Sequence, residues 1–204
     1  MIEKFLNSRL LTLYILPLAF GSLTTLSFEP FNFTMINFII FPFFFYLIVF
    51  INKKSKSLYR KKPHRKNLLV FGIIFGFGFY LSGISWITNS LTFDENFKFL
   101  IPFALIFVPL FLSLFIGLPV FFIGPYLKLD YTSLIVFSAS LAFSDYLRAK
   151  VLTGFPWNLW AYSTTSFTEL LQIINVIGLF SYNLFVITFF TLPIIIFLRS
   201  VKYI

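Results

Sequence analysis

The side chains of this chain that could take part in chemistry are concentrated between residues 144 and 163. The segment S-D-Y-L-R-A-K places Asp145 and Arg148 on one face of a predicted helix, because side chains at positions i and i+3 are neighbours there. Two interpretations of this pair are open. It is either a solvated ion pair that anchors the outer end of a helix or a charged part of a binding site.

The segment that follows, T-G-F-P-W-N-L-W-A-Y-S at residues 153–163, interrupts a very apolar sequence. Gly154 and Pro156 predict that the helix stops and that the chain turns along a surface. Tyr and Trp rings prefer a membrane–water interface, so we expect the aromatic rings here to lie at the outer interface. These rings are Phe155, Trp157, Trp160 and Tyr162. An interfacial aromatic belt and the rim of a lipid or substrate portal are the two open interpretations.

A second set of polar side chains follows in the next apolar run. Gln172, Asn175 and Tyr182, together with Gly178, make a polar and small stripe on one predicted helix. Polar groups within a membrane must face protein or a wet cavity, so we expect this stripe to face inward. It would serve either interhelical hydrogen bonds or a cavity for lipid or substrate.

The usual signatures of a catalytic centre do not occur in these 204 residues. Cysteine is absent, which excludes a thiolate nucleophile and a thiolate metal site within this sequence. The zinc-binding His-Glu-x-x-His spacing, the Gly-x-Ser-x-Gly elbow and a phosphate-binding Gly-rich loop with lysine are also missing. The sequence therefore predicts no catalytic residue, no metal site and no cofactor.

The composition predicts a membrane protein, with 59% hydrophobic residues, 11% charged residues and a mean hydropathy of +0.92. We expect an all-α, polytopic transmembrane bundle of about six spans that forms a single domain over residues 1–204. The apolar runs that predict these spans are 10–28, 33–51, 68–90, 99–127, 131–147 and 168–198. A basic loop is expected at 52–67 and an outer interfacial loop at 148–167.

The distribution of charge predicts the orientation of the bundle. Eight of the 16 Lys and Arg residues fall in the basic loop, so the net charge of +9 indicates a cytoplasmic loop beside lipid rather than a nucleic-acid partner. With both termini in the cytoplasm, the outer side receives few basic residues and most of the acidic ones. The outer basic residues are then Lys98, Arg148 and Lys150, and the outer acids are Glu29, Asp94, Glu95, Asp145 and Glu169.

Two further features concern the packing and the start of the chain. Gly72, Gly76 and Gly83 lie near one face of the third run, where small residues let a neighbouring backbone approach closely.

The first run could instead be a cleaved signal peptide, because Lys4 and Arg9 precede its apolar core. The turn-like segment F-E-P-F-N-F that follows favours a first span.

Four segments resemble the membrane domain of apolipoprotein N-acyltransferases. The most specific is L-A-F-S-D-Y-L-R-A-K-V-L-T-G-F-P-W-N-L-W-A-Y-S at 141–163, and L-L-Q-I-I-N-V-I-G-L-F-S-Y-N-L-F-V-I follows at 170–187. L-S-F-E-P-F-N-F at 26–33 is similar to the family's first hairpin, and S-G-I-S-W-I-T-N-S-L at 82–91 is similar to the end of its third span. The order and spacing agree over essentially the whole chain.

The sequence departs from the family pattern in three ways. Asp145 and Tyr146 stand where Glu-Trp is usual, and Glu29 replaces a small residue. The sequence stops at Ile204, whereas the family continues with another span, a nitrilase-like domain that carries a Glu-Lys-Cys triad, and a closing helix.

The resemblance implies the membrane portion of a truncated or split enzyme in the bacterial inner membrane, inactive by itself. The family transfers an acyl chain from a phospholipid to the N-terminal diacylglyceryl-Cys of a lipoprotein. A separately encoded nitrilase-like chain would be the partner, and the residues around Gly154 and Trp157 would form a lipid portal. A small transporter or scaffold unrelated to acyl transfer is the alternative hypothesis.

Overall fold

The computed structural model describes residues 6, 8–55, 64–151, 154 and 156–195, and their regular structure is helical throughout. The basic residues Lys56, Arg60, Lys61 and Lys62 of the predicted loop, and both chain ends, lie outside this range. The α-helices are α1 Leu16–Thr24, α2 Asn37–Ser55, α3 His64–Ile84, α4 Ile101–Ile123, α5 Tyr131–Lys150, α6 Thr168–Leu171, α7 Ile173–Ile177 and α8 Leu179–Thr191. Shorter 3-10 segments connect several of them, including Ser85–Thr92 after α3 and Trp160–Thr164 before α6.

Among the residues that the structure describes, three helical stretches are long and apolar enough to cross a membrane. They are Thr34–Lys54, His64–Thr92 and Glu95–Tyr126, which contain α2, α3 and α4. The structure therefore agrees with an all-helical membrane protein. The count of six spans and the placement of both termini in the cytoplasm stay predictions.

The sixth predicted run is not one helix. Gly178 adopts a positive φ of 80°, and this non-helical residue separates α7 from α8. Glycine takes up this conformation without a steric penalty from Cβ. The run that looked continuous by hydropathy is thus divided among α6, α7 and α8, because hydropathy does not record backbone direction.

Helix α3 packs closely against α4 through small residues. A Cβ placed on Gly72 would lie 2.8 Å from the Cα of Gly117, and one placed on Gly76 would lie 2.9 Å from the Cα of Ser113. These distances are shorter than ordinary carbon contacts, so the two backbones can meet only because the side chains are missing. The expectation of close backbone packing is confirmed for Gly72 and Gly76, whereas a Cβ on Gly83 would meet the side chain of Asn158.

The centre of the bundle is filled by aromatic rings from α2, α3 and α5. Phe44 stacks on Phe75 with ring centroids 4.0 Å apart, and Phe44 also meets Phe137 edge-on at 5.7 Å. All three side chains are buried. The many phenylalanines therefore include the main packing elements of the core, where each ring buries a large apolar area.

The two ends of the bundle are closed by different hydrogen bonds between helix ends and loops. At one end, Asn52 Nδ2 donates to the Pro125 carbonyl at 2.9 Å, and Arg65 Nη2 donates to the Tyr126 hydroxyl at 3.2 Å. At the other end, the Thr34 hydroxyl donates to the Ser163 carbonyl at 2.7 Å. The first end carries the basic residues next to the predicted cytoplasmic loop. The second end carries the segment 156–164, called the aromatic loop here because it contains Trp157, Trp160 and Tyr162.

Candidate functional site

Asp145 and Arg148 form an ion pair in the last turns of α5. Arg148 Nη2 donates to Asp145 Oδ1 at 3.0 Å, and the two side chains are only 1% and 7% exposed. The interpretation as a solvated ion pair is therefore wrong. The pair lies inside the protein because α5 packs against α8, and Arg148 also contacts the loop at Trp157. A buried pair of this kind requires further hydrogen bonds to satisfy its remaining polar atoms.

The structure supplies several such hydrogen bonds from two other elements. Arg148 Nη1 donates to the Trp157 carbonyl at 2.7 Å. Asn183 Nδ2, from α8, donates to Asp145 Oδ2 at 2.9 Å, and the Asn183 Oδ1 accepts the backbone N–H of Ala161 at 2.9 Å. One connected network therefore fastens the loop from Trp157 to Ala161 onto both α5 and α8.

An aromatic ring from α3 completes the surroundings of the arginine. The Arg148 guanidinium carbon lies 5.3 Å from the ring centroid of Tyr80, a distance at which a cation is attracted to the ring face. Tyr80 is fully buried. The loop is thus held by direct contacts to α5 and α8, and α3 contributes through the ring of Tyr80 beside Arg148.

Tyr80 and Asn183 were not among the predicted site residues. Asn183 carried a usable signal, because an amide inside an apolar helical run needs a partner within the protein. Tyr80 resembled the other core aromatics, and no feature of its local sequence distinguished it. Long-range contacts alone identify its position beside Arg148.

Helix α5 continues three residues beyond the predicted span 131–147 and ends before Gly154 and Pro156. Helix α5 ends at Lys150, and Val151 is extended. Gly154 has a φ of 78°, and its N–H donates to the Val151 carbonyl at 3.2 Å. Pro156 follows in irregular backbone, and Phe155 lies outside the described residues.

The aromatic residues of the loop do not share one environment. Trp160 is 2% exposed and stacks on Phe79 with centroids 4.3 Å apart, so its expected interfacial position is wrong. Its ring points into the bundle because the network anchors the backbone on either side of it. Trp157 is 48% exposed, and Tyr162 is half-buried. These two rings are accessible, and their place at the outer interface stays a prediction.

The predicted inward polar stripe is divided by the bend at Gly178. Gln172 and Asn175 are exposed and contact each other, with Asn175 Nδ2 donating to Gln172 Oε1 at 3.3 Å. Their expected inward position is therefore wrong. Tyr182 is buried, and its hydroxyl lies 2.8 Å from that of Thr164.

A cleft of about 450 Å³ opens beside the aromatic loop. Trp157 and Trp86 face each other across part of its wall, with ring centroids 5.3 Å apart in an edge-to-face arrangement. The first hairpin contributes Glu29, and the loop contributes Asn158 and Tyr162. The arrangement is a receptacle with aromatic walls, whereas the buried network beneath it has both carboxylate oxygens occupied. This chemistry suits binding and support rather than nucleophilic attack.

Comparison with known proteins identifies the family. The sequence model of the apolipoprotein N-acyltransferase N-terminal domain matches residues 20–192. An apolipoprotein N-acyltransferase of Rhodopseudomonas palustris is 32% identical over 183 residues, covering 89% of this chain and 33% of the relative. The corresponding protein of Brucella melitensis is 30% identical over 176 residues, covering 85% of this chain and 32% of the relative.

A third relative, the apolipoprotein N-acyltransferase of Rickettsia bellii, is 30% identical over 131 residues, covering 64% of this chain and 26% of the relative. The chain spans about one third of the length of the curated relatives that it matches. Each of these matches carries the same name, and the match to the domain model includes the ion pair, the aromatic loop and Asn183. The chain therefore belongs to the apolipoprotein N-acyltransferase family, through the N-terminal domain of that family.

Proposed function

We propose that this chain forms the membrane portion of an apolipoprotein N-acyltransferase. In this role it holds the acyl chains of a phospholipid donor and a lipoprotein acceptor and supports a catalytic domain above the membrane. The observation that carries the proposal is the aromatic loop, which a buried ion-pair network anchors beside an open cleft. A surface that must position a second domain or a lipid benefits from such rigid support.

The nucleophile of this reaction is proposed to come from outside these residues. Thioester formation needs a cysteine thiolate, and these 204 residues contain no cysteine. We propose a separately encoded nitrilase-like chain as the partner that supplies it. The alternative of a transporter or scaffold unrelated to acyl transfer has no observation in its favour among the described residues.

Coexpression tests the proposal. In a bacterium depleted of its own N-acyltransferase, this chain and a nitrilase-like chain together should restore N-acylation of a reporter lipoprotein, measured by mass spectrometry of its N-terminal peptide. Neither chain alone should do so. Acylation by this chain alone, or a hydroxylamine-sensitive acyl adduct on it, would contradict the proposed division of labour.

Substitutions in the anchored loop test whether it takes part. Trp157→Ala and Pro156→Ala should each lower N-acylation about tenfold or more, because small displacements of a positioning surface are costly. The amount of membrane-inserted chain should stay near the wild-type level. Phe143→Ala, which removes an exposed ring of α5, is the matched control. Wild-type acylation in both loop variants would leave a simple aromatic belt as the function of this segment.

We also propose an inner-membrane location with both termini in the cytoplasm. The charge distribution supports this orientation, because basic residues concentrate on the cytoplasmic side of membrane proteins. Reporter fusions after Ser57 and after Asn158 should report opposite compartments. The same compartment for both fusions would overturn the proposed topology.

A further inference from the structure

The residues that line the cleft beside the aromatic loop include an acidic side chain but no basic one. Among the described residues that line it, Glu29 is the one carboxylate, and there is no lysine, arginine or histidine. The remaining lining residues are aromatic, small or neutral polar. A cleft with this composition attracts a cation and repels an anion, and its low-dielectric walls strengthen that preference.

The Glu29 carboxylate is oriented by its neighbour but is not neutralised. Asn32 Nδ2 donates to Glu29 Oε2 at 2.9 Å, which holds the side chain against the turn of the first hairpin. In the part of the chain that the structure describes, the ion pairs are Lys98–Glu95 and Arg148–Asp145, and neither includes Glu29. The Glu29 side chain is exposed and lines the cleft.

The aromatic walls fit the same kind of ligand. Trp86 is 50% exposed, and its indole N–H donates to the Gly83 carbonyl at 3.2 Å, which fixes the position of the ring. Trp157 meets this ring edge-to-face, and Tyr162 lines the same space. Aromatic faces attract ammonium groups through their quadrupoles, and this attraction adds to that of a carboxylate.

The cleft continues into apolar grooves along the segment Ser85–Thr92. A neighbouring hollow of about 470 Å³ shares Trp86 and Trp157 with the cleft and also includes Ile87. From Ile87 a further hollow of about 320 Å³ runs along α4, lined by Phe107, Val108, Phe111 and Leu112. A charged site that opens into an apolar groove suits an amphiphile with a cationic head and a hydrocarbon tail.

We infer that this cleft binds the primary ammonium group of an amphiphilic ligand, with Glu29 accepting its N–H groups and the rings of Trp86 and Trp157 flanking it. The inference rests on the proposed function, because that function supplies two sources of such an ammonium. One is the headgroup of an aminophospholipid donor, and the other is the free N-terminal amine of the lipoprotein acceptor. Glu29 is then a specificity residue for the amine.

Direct binding to the full chain in detergent tests the inference without any catalytic partner. Dihexanoyl phosphatidylethanolamine, dihexanoyl phosphatidylglycerol and a diacylglyceryl-Cys peptide, with its amine free or acetylated, are titrated separately. Tryptophan emission is the readout, because two of the three tryptophans, Trp86 and Trp157, line the cleft while Trp160 is buried. The test variant is Glu29→Gln, and the matched control is Glu169→Gln, which neutralises another exposed acid.

At least one ligand with a free primary amine should change the emission at lower concentration than its amine-free counterpart. Glu29→Gln should weaken that binding about fivefold, as expected for loss of a partly exposed ion pair, while Glu169→Gln should leave it unchanged. Response to the phospholipid alone assigns the donor headgroup, and response to the free-amine peptide alone assigns the acceptor; both outcomes support the site.

Equal binding of amine and amine-free ligands by the wild-type chain overturns the inference, and this comparison does not depend on how any variant folds. Unchanged amine binding in Glu29→Gln also overturns it. Failure of the coexpression assay with intact amine binding would reject the proposed acyl transfer and keep the site. Restored acylation with no amine preference would reject the site and keep the proposed function.

Discussion

The α3–α4 interface and the α5–α8 interface hold their helices together in different ways. Along the first, Gly72 and Gly76 let two backbones meet at close range, and dispersion between well-packed atoms supplies the attraction. Along the second, a buried ion pair and the amide of Asn183 join two helices and a loop. Apolar packing gives close approach, whereas the polar network determines which backbone atoms meet.

This difference between the two interfaces indicates that a loop is placed precisely where buried polar groups, rather than apolar contacts, join the helices. Buried polar partners tolerate few alternative arrangements, because every unpaired group carries a large desolvation cost. The network lies directly beneath the accessible loop, and the glycine contacts lie along the length of α3. Substitutions at the two interfaces should therefore differ in how much they lower the free energy of unfolding and in whether they release the loop.

The largest effect is expected from breaking the buried ion pair. Arg148→Ala leaves Asp145 as an uncompensated buried charge and should lower the free energy of unfolding by about 3–5 kcal/mol. Thermal unfolding of the detergent-solubilised chain measures the loss. Lys150→Ala, which removes an exposed cation from the same helix, should change it by less than about 0.5 kcal/mol.

The double variant Asp145→Leu/Arg148→Leu sharpens the same comparison. Removing both charges together should restore part of the stability lost in Arg148→Ala, because no buried charge is left unpaired. Equal losses in the single and double variants would show that the network is not an electrostatic unit. Limited proteolysis should cut the loop faster in both variants than in the wild type, because the contact to the Trp157 carbonyl is lost in each.

Overpacking the glycine interface is expected to have the next largest effect. Gly76→Leu places a side chain against the Cα of Ser113 and should cost about 3 kcal/mol, the upper part of the usual range for overpacking. Ala139→Leu adds similar bulk at an exposed position of α5 and is the control. If the two substitutions cost the same, the α3–α4 backbones do not make the close contact described above.

Removal of the amide that links α8 to the loop should have a smaller effect. Asn183→Ala leaves Asp145 Oδ2 and the Ala161 N–H without these partners, at a cost of about 2 kcal/mol. Hydrogen exchange at Ala161 should also accelerate. Asn175→Ala removes an exposed amide from a neighbouring helix, and its unfolding and exchange should match those of the wild type. Matching behaviour of both variants would contradict the role of Asn183.

The smallest effect concerns the carboxylate at the other end of α5. Asp130 caps this helix by accepting the Ser133 N–H at 2.7 Å, and this hydrogen bond lowers the pKa of its exposed carboxyl. A lowered folded-state pKa stabilises the protein above the unfolded value of about 3.9, and this stabilisation is lost as the pH falls through the folded value. Asp130→Ala should cost about 1 kcal/mol at neutral pH.

Thermal scans across pH test this assignment. The difference in unfolding temperature between the wild type and Asp130→Ala should shrink below about pH 4, since protonation removes the charge from the wild-type cap. A difference that is constant from neutral to acidic pH would show that the charge of the cap makes no contribution. The small loss of unfolding free energy at the exposed Asp130 can then be compared with the large loss expected when the buried ion pair of Asp145 is broken.

Local sequence features predicted much of the candidate site. The spacing of Asp145 and Arg148 predicted a shared helix face, and Gly154 with Pro156 predicted the end of α5. Both depend on backbone properties of neighbouring residues. The environments of Trp160, Gln172 and Asn175 were predicted incorrectly, because hydropathy and spacing do not indicate which neighbour a side chain meets.

By itself the sequence determined the helical, membrane-type composition, the family and the order of its motifs. These properties follow from residue type and from contacts within a few positions. Only the tertiary structure decided that the ion pair is buried, that Asn183 joins it from 38 residues away, and that Glu29 shares a cleft with Trp157. Such placements depend on how distant helices pack, since burial and partner choice arise from contacts between segments far apart in the chain.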